Sequence, residues 1–144
     1  MYLLDTNVLS ALRKRRSGRI SPEVEAWAEQ VAPPPNLHLS VVTIMEVELG
    51  IARCERRDAR QAATLRLWLH ERVLPAFAGR ILPLDNAIAL RCARLHVPDP
   101  RSDRDAWIAA TGLVHDLTIV TRNTTDFAAT GAPLLNPWHV GSDS

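Results

Sequence analysis

The sequence predicts an α/β fold of three layers, with helices on both faces of a mostly parallel central sheet. Three observations lead there. Short apolar runs without alternation, such as Leu117-Thr118-Ile119-Val120, are the pattern of strands covered on both faces. These runs are separated by longer amphipathic segments, which implies helical crossovers and parallel pairing. A chain of 144 residues, 47% apolar and 23% charged, has enough material for one domain, 1–144, with a real core.

The elements follow in order. The first strand, 2–5, is Tyr2-Leu3-Leu4 closed by Asp5, and a helix follows over about 7–15. The next helix, about 22–31, opens on Ser21-Pro22, an N-cap and then a proline in the first turn. Pro33-Pro34-Pro35 reads as a rigid extended connector into a strand over 37–41. Thr43 stands three residues before Glu46, the capping-box spacing, at the head of a helix over about 43–56. A helix over about 58–74 carries Leu65, Leu67, Trp68 and Leu69 around its circumference. That is more apolar surface than one small sheet covers, so it is expected to form an interface. A short strand near 81–82 leads to a helix over about 85–96 opened by Asp85. Ser102 lies three residues before Asp105 at the start of a helix over about 103–115. Strands over 118–121 and 134–135 complete the sheet.

Bulk properties narrow the function. A net charge of +1 gives no strong overall field, so any nucleic-acid partner must meet locally concentrated cations. Arg13-Lys14-Arg15-Arg16 is such a cluster, and it follows the helix that Asp5 opens. No apolar stretch approaches the length of a membrane span. Strand-like sequence begins at residue 2, which leaves no room for a targeting peptide, so a cytoplasmic location is expected. Cys54 and Cys92 each fall on an apolar helical stripe and are expected as buried reduced thiols. Neither has zinc-ligand spacing. The five histidines show no paired spacing, and the four tryptophans have apolar neighbours that place them in the core or an interface.

The acids carry the chemistry. A strand ending in an acid and turning into a helix puts Asp5 at the carboxyl edge of the sheet, where open α/β sheets bind ligands. Its local alternative role is an N-cap. Glu46 and Glu48 share a helix but project about 200° apart, so only one can face a given site. Periodicity does not choose between them. Asp103 and Asp105 occupy a helix's first turn, where the dipole favours acids whatever their function. Thr121-Arg122-Asn123-Thr124-Thr125-Asp126 follows a strand and is either a polar turn or a further part of the site.

Together these segments resemble the PIN-domain family, and in particular its toxin branch, the VapC and FitB-like ribonucleases of bacterial toxin–antitoxin pairs. Leu4-Asp5-Thr6-Asn7-Val8-Leu9-Ser10 is similar to the family's opening motif. Ser40-Val41-Val42-Thr43-Ile44-Met45-Glu46, with Gly50 beyond it, resembles the second acidic motif and selects Glu46 over Glu48. Asp105-Ala106-Trp107-Ile108-Ala109-Ala110-Thr111 resembles the third, and Val120-Thr121-Arg122-Asn123 through Asp126-Phe127 the fourth. Ala78 to Asp85 and Asn136-Pro137-Trp138 are similar to the FitB-like subgroup. The resemblance runs from residue 2 to about 139 and implies a PIN-like domain.

By that resemblance Asp5, Glu46 and Asp105 would bind Mg²⁺ or Mn²⁺, and Asp126 or Asn123 would complete the site. Thr6, Asn7, Thr121, Asn123 and Asp103 would position carboxylates and water. Oxygen-only ligands suit these hard cations. Clustered carboxylates also need one, because two of them about 4 Å apart repel by about 4 kcal/mol at an effective dielectric of about 20. The implied activity is cation-dependent endoribonuclease cleavage by an activated water. The implied partners are RNA, with Arg13, Lys14, Arg15 and Arg16 as candidate contacts, and a small DNA-binding antitoxin. Operator DNA would be reached only through that antitoxin, and the toxin would be a homodimer. A catalytically silent nucleic-acid- or antitoxin-binding module of the same fold is the alternative. A phosphatase using Asp5 as nucleophile would need a second acid at position 7, which is Asn7. A DNA-directed 5′ nuclease would need clamp and arch segments the chain lacks.

Overall fold

The computed structural model describes residues 1–15, 17–31 and 34–139. Its centre is a parallel five-stranded sheet: β1 (Tyr2–Leu4), β2 (Leu37–Ser40), β3 (Ile81–Leu82), β4 (Thr118–Val120) and β5 (Leu134–Leu135), in the order β3-β2-β1-β4-β5. Register pairs Tyr2 with both Leu37 and Thr118, and Val120 with Leu135. The chain runs outward from β1 through β2 to β3, then returns to β4 on β1's other side. The strand order therefore reverses between β1 and β4, and in open sheets of this kind the carboxyl ends at such a switch point are where ligands bind.

Neighbouring residues along the strands enter different cores. Leu4 and Val120 pack with Val8, Trp27, Leu39, Val47 and Leu69. Leu3 and Ile119 pack with Val42, Ile108, Ala109 and Phe127 on the opposite face. This is the doubly covered sheet expected of apolar runs without alternation. The helices are α1 (Thr6–Arg13), α2 (Pro22–Val31), α3 (Val41–Glu55), α4 (Ala59–Trp68), α5 (Leu74–Ala76), α6 (Asn86–Leu95), α7 (Asp103–His115) and α8 (Thr124–Phe127). Gly112 of α7 lets that helix sit close on β4: a Cβ there would come within 3.0 Å of Ile119 Cγ1. None of the described helices is long and apolar enough to cross a membrane.

Local sequence and tertiary structure part company in four places. α3 begins at Val41, with Ser40 as its cap; the Ser40 hydroxyl accepts from the Val42 N–H at 3.0 Å. Thr43 is therefore inside the helix and completely buried, and no capping box joins it to Glu46. Pro34–Asn36 forms a 3₁₀ turn rather than an extended connector, while Pro33 lies outside the described residues. The long helix expected after Asp58 divides into α4, a π-turn at Leu69–Val73, and α5. Pro75 has no N–H to offer the preceding turn, and the wider π-turn still buries both Leu69 and Val73. Finally, Leu69 is buried and Leu65 and Trp68 pack against the core, leaving Leu67 as the exposed member of that apolar set, at 58%. Cys54 and Cys92 are buried free thiols, as expected. Trp27 is buried, and the other three tryptophans pack against the core clusters.

Candidate functional site

Asp5 stands in the one-residue step between β1 and α1. Its N–H continues the ladder to the Val120 carbonyl at 2.9 Å, and its extended backbone makes it the N-cap of α1. The capping oxygen, Oδ1, accepts from the Thr6 N–H at 2.8 Å. The other, Oδ2, accepts from the Thr121 hydroxyl at 2.8 Å and from the Asn7 amide at 3.2 Å. The cap and the site are thus one carboxylate using its two oxygens differently. Asp5 is only 7% exposed. Burial pushes its pKa above the usual aspartate value, aided by the charge of Asp126, while the bonds from Thr121, Thr6 and Asn7 pull the other way.

Thr121 follows β4 as Asp5 follows β1. Its buried hydroxyl also accepts from the Asn123 N–H at 3.0 Å. Asn7 bridges the two strand ends: its side-chain oxygen accepts from the Arg122 N–H at 3.1 Å. These small polar residues fix the crevice at the point where strand order reverses.

α3 supplies Glu46, whose Oε1 accepts from the Thr6 hydroxyl at 2.9 Å; that hydroxyl lies 3.4 Å from the Thr43 hydroxyl. Glu48 projects elsewhere and pairs with Arg66 at 3.5 Å. α7 supplies Asp105 from its first turn, capped by the Ser102 hydroxyl at 3.5 Å. Burial raises the Asp105 pKa, and the negative charges of Asp5, Asp126 and Glu46 raise it further. Asp105 therefore senses all three other acids. Asp126 reaches this group from the exposed rim of α8, and its N–H donates to the Asn123 carbonyl at 3.0 Å. Asn123 is exposed and enters the network through its backbone. Asp103 does not join: it is 88% exposed and lies 3.6 Å from His96 on the α6 side.

The structure thus gathers Asp5, Glu46, Asp105 and Asp126 with Thr6, Asn7 and Thr121. Among the described residues, no three acids, histidines or cysteines already form a closed cation cage. The donor set is all oxygen, and two of its acids carry raised pKa values from burial and mutual repulsion. That chemistry fits a hard divalent cation.

Two contributors are not evident from local sequence. Thr43 backs Thr6, and the Arg104 guanidinium lies 3.7 Å from Glu46 Oε2. The signal for Arg104 is a cation in a helix's first turn, where the dipole disfavours it. The basic cluster lies farther off. Arg13 and Lys14 sit at the opposite end of α1, about 12 Å from Asp5 at 1.5 Å per residue. Arg15 is bound bidentately by Glu25 at 2.7 and 2.8 Å, and Arg16 lies outside the described residues. Arg13 and Lys14, with Arg19, Trp68 and Arg72, line a hollow of about 570 Å³ that none of these four acids borders.

Comparison with known proteins places the fold. The PIN domain model matches residues 2–133. The chain is 36% identical to Toxin FitB of Neisseria gonorrhoeae over 96% of its length and 99% of that protein. The FitAcB crystal structure from the same organism superposes with a TM-score of 0.85 at 34% identity, covering 96% of this chain and 99% of that one. VapC ribonuclease Y4jK of Sinorhizobium fredii is 36% identical over 96% of this chain and 98% of its own. A toxin-antitoxin complex from Klebsiella pneumoniae aligns with a TM-score of 0.62 at 30% identity, covering 95% and 98%. With the domain model matched over most of the chain and near-complete coverage of relatives at this identity, the chain belongs to the PIN domain family.

Proposed function

We propose that this protein is the ribonuclease toxin of a toxin–antitoxin pair, a divalent-cation-dependent endoribonuclease that hydrolyses RNA phosphodiester bonds at the acid cluster. The observation that carries this reading is the convergence of four carboxylates from β1, α3, α7 and α8 on the switch-point crevice, with Asp105 sensing the other three. The relatives named as a ribonuclease and as a toxin support the substrate class and biological role.

Asp5, Glu46 and Asp105 would hold Mg²⁺ or Mn²⁺, with Asp126 at the rim. When bound, such a cation polarises phosphoryl oxygens and lowers the pKa of water. The chain's own residues prepare the site. Thr121, Asn7 and the Thr6 N–H fix both oxygens of Asp5, and the Thr6 hydroxyl fixes one of Glu46. The pre-set donors lower the reorganisation needed when phosphate arrives. Asp126, exposed at the rim, would be the acid that orients the attacking water and accepts its proton.

In this reading the partner is a small DNA-binding antitoxin that blocks the acids and carries the pair to operator DNA. The protein acts in the cytoplasm as a homodimer. The deciding experiment measures cleavage of single-stranded RNA by purified protein in Mg²⁺ or Mn²⁺ and in excess chelator. Cleavage should require the cation and vanish in Asp5→Asn, Glu46→Gln and Asp105→Asn. Undiminished cleavage in chelator would overturn the mechanism.

A further inference from the structure

Arg104 is a cation that the fold does not need where it stands. It occupies the first turn of α7 between Asp103 and Asp105, where the helix dipole opposes positive charge. Its side chain is 45% exposed. The carboxylate nearest to it is Glu46 Oε2 at 3.7 Å, beyond hydrogen-bond length, and the other Glu46 oxygen is already taken by Thr6 at 2.9 Å. An open pair of this kind adds little to stability. Other arginines at this edge are engaged: Arg122 stacks over Trp138 at 4.9 Å, and Arg101 donates to the Leu95 carbonyl at 2.8 Å.

A phosphodiester entering the crevice meets Asp5, Glu46, Asp105 and Asp126 together, all repelling it. A guanidinium at the mouth offsets that repulsion and can offer two parallel N–H donors to phosphate oxygens. Resting on the ribonuclease reading above, we infer that Arg104 is the residue that grips a phosphate of the RNA substrate at the entrance to the acid cluster. Glu46 parks the guanidinium loosely, so little must be broken when RNA replaces it.

The test compares wild type, Arg104→Ala and Arg104→Lys in steady-state cleavage of labelled single-stranded RNA with Mg²⁺ over a range of salt. Binding of the same RNA is measured by Asp105→Asn with and without Arg104→Ala. Loss of one charged contact should raise KM and weaken binding about tenfold, with a smaller change in kcat. The slope of log affinity against log salt should become shallower by about 0.7, one phosphate contact on a single strand. Arg104→Lys should recover part of the loss and most of the salt slope. If RNA is cut normally while KM and salt slope are unchanged in Arg104→Ala, this inference fails and the nuclease reading stands. Tighter RNA binding on losing Arg104, as for a side chain that only obstructs the entrance, also refutes it. If wild type cuts no RNA with either cation, both readings fall.

Discussion

Thr121→Val is the sharpest test of how the site is held together. The substitution keeps side-chain shape and removes one hydroxyl from a fully buried position. That hydroxyl donates to Asp5 Oδ2 at 2.8 Å and accepts from the Asn123 N–H at 3.0 Å. Asn123 is exposed, so water can replace the second bond; the first has no such substitute. A hydrogen bond to an ionised partner is worth about 1.5–3 kcal/mol, against about 0.5–1.5 kcal/mol between neutral groups. At pH 7 in chelator the variant should therefore lose about 1.5–3 kcal/mol, a fall in Tm of roughly 3–12 °C for a domain of this size. The cost depends on pH. The Thr121 bond lowers the Asp5 pKa, and burial keeps that pKa above 3.8. As pH falls through the raised value toward 3.8, Asp5 gains its proton in the folded state first, and the lost bond becomes a neutral one. The destabilisation should then shrink by about half. Thermal or urea unfolding at several pH values decides it. Equal losses at neutral and acid pH would show that the hydroxyl fills space and does not hold a carboxylate.

The other expectations follow from the same geometry. Asp105→Asn should abolish RNA cleavage yet raise the Tm of the cation-free protein at pH 7. A raised folded-state pKa favours folding at low pH, and that benefit is lost as pH climbs from 3.8 through the raised value; a Tm that falls at pH 7 would contradict the repulsion. Glu46→Gln should remove cleavage, while Glu48→Gln, which breaks an exposed pair with Arg66, should cost under about 1 kcal/mol and leave activity intact; the reverse result would put the wrong face of α3 in the site. Saturating Mg²⁺ or Mn²⁺ at about 100 times its Kd should add about 2.7 kcal/mol of stability at neutral pH, reversed by chelator and absent in Asp105→Asn.

The parallel sheet and its edge acids were legible because they depend on local pattern. Unalternating apolar runs mean strands covered twice, and an acid closing the first of them falls at the sheet's carboxyl edge wherever the helices go. Helix starts were legible where a single side chain caps them, as at Asp85 and Ser102, whose oxygens meet the expected N–H groups. The capping box at Thr43 misled because the rule counts spacing, and an equally good cap, Ser40, stood three residues earlier. The apolar circumference of α4 misled because sequence cannot tell how many neighbours a helix has; Leu69 and Trp68 found theirs inside the molecule.

Local pattern was enough to close the first strand at Asp5 and to set the acid motifs in the order of a PIN domain. What those acids face came from how the helices packed. That packing turned Glu46 toward Thr6 and Glu48 toward Arg66, left Asp126 among the acids while Asp103 met His96, and set Arg104 at the mouth. The physical reason is that capping and periodicity act within a turn or two of helix, whereas a carboxylate's partners and pKa are set by charges and donors brought together from more than a hundred residues apart, as the 116-residue step from Asp5 to Thr121 shows.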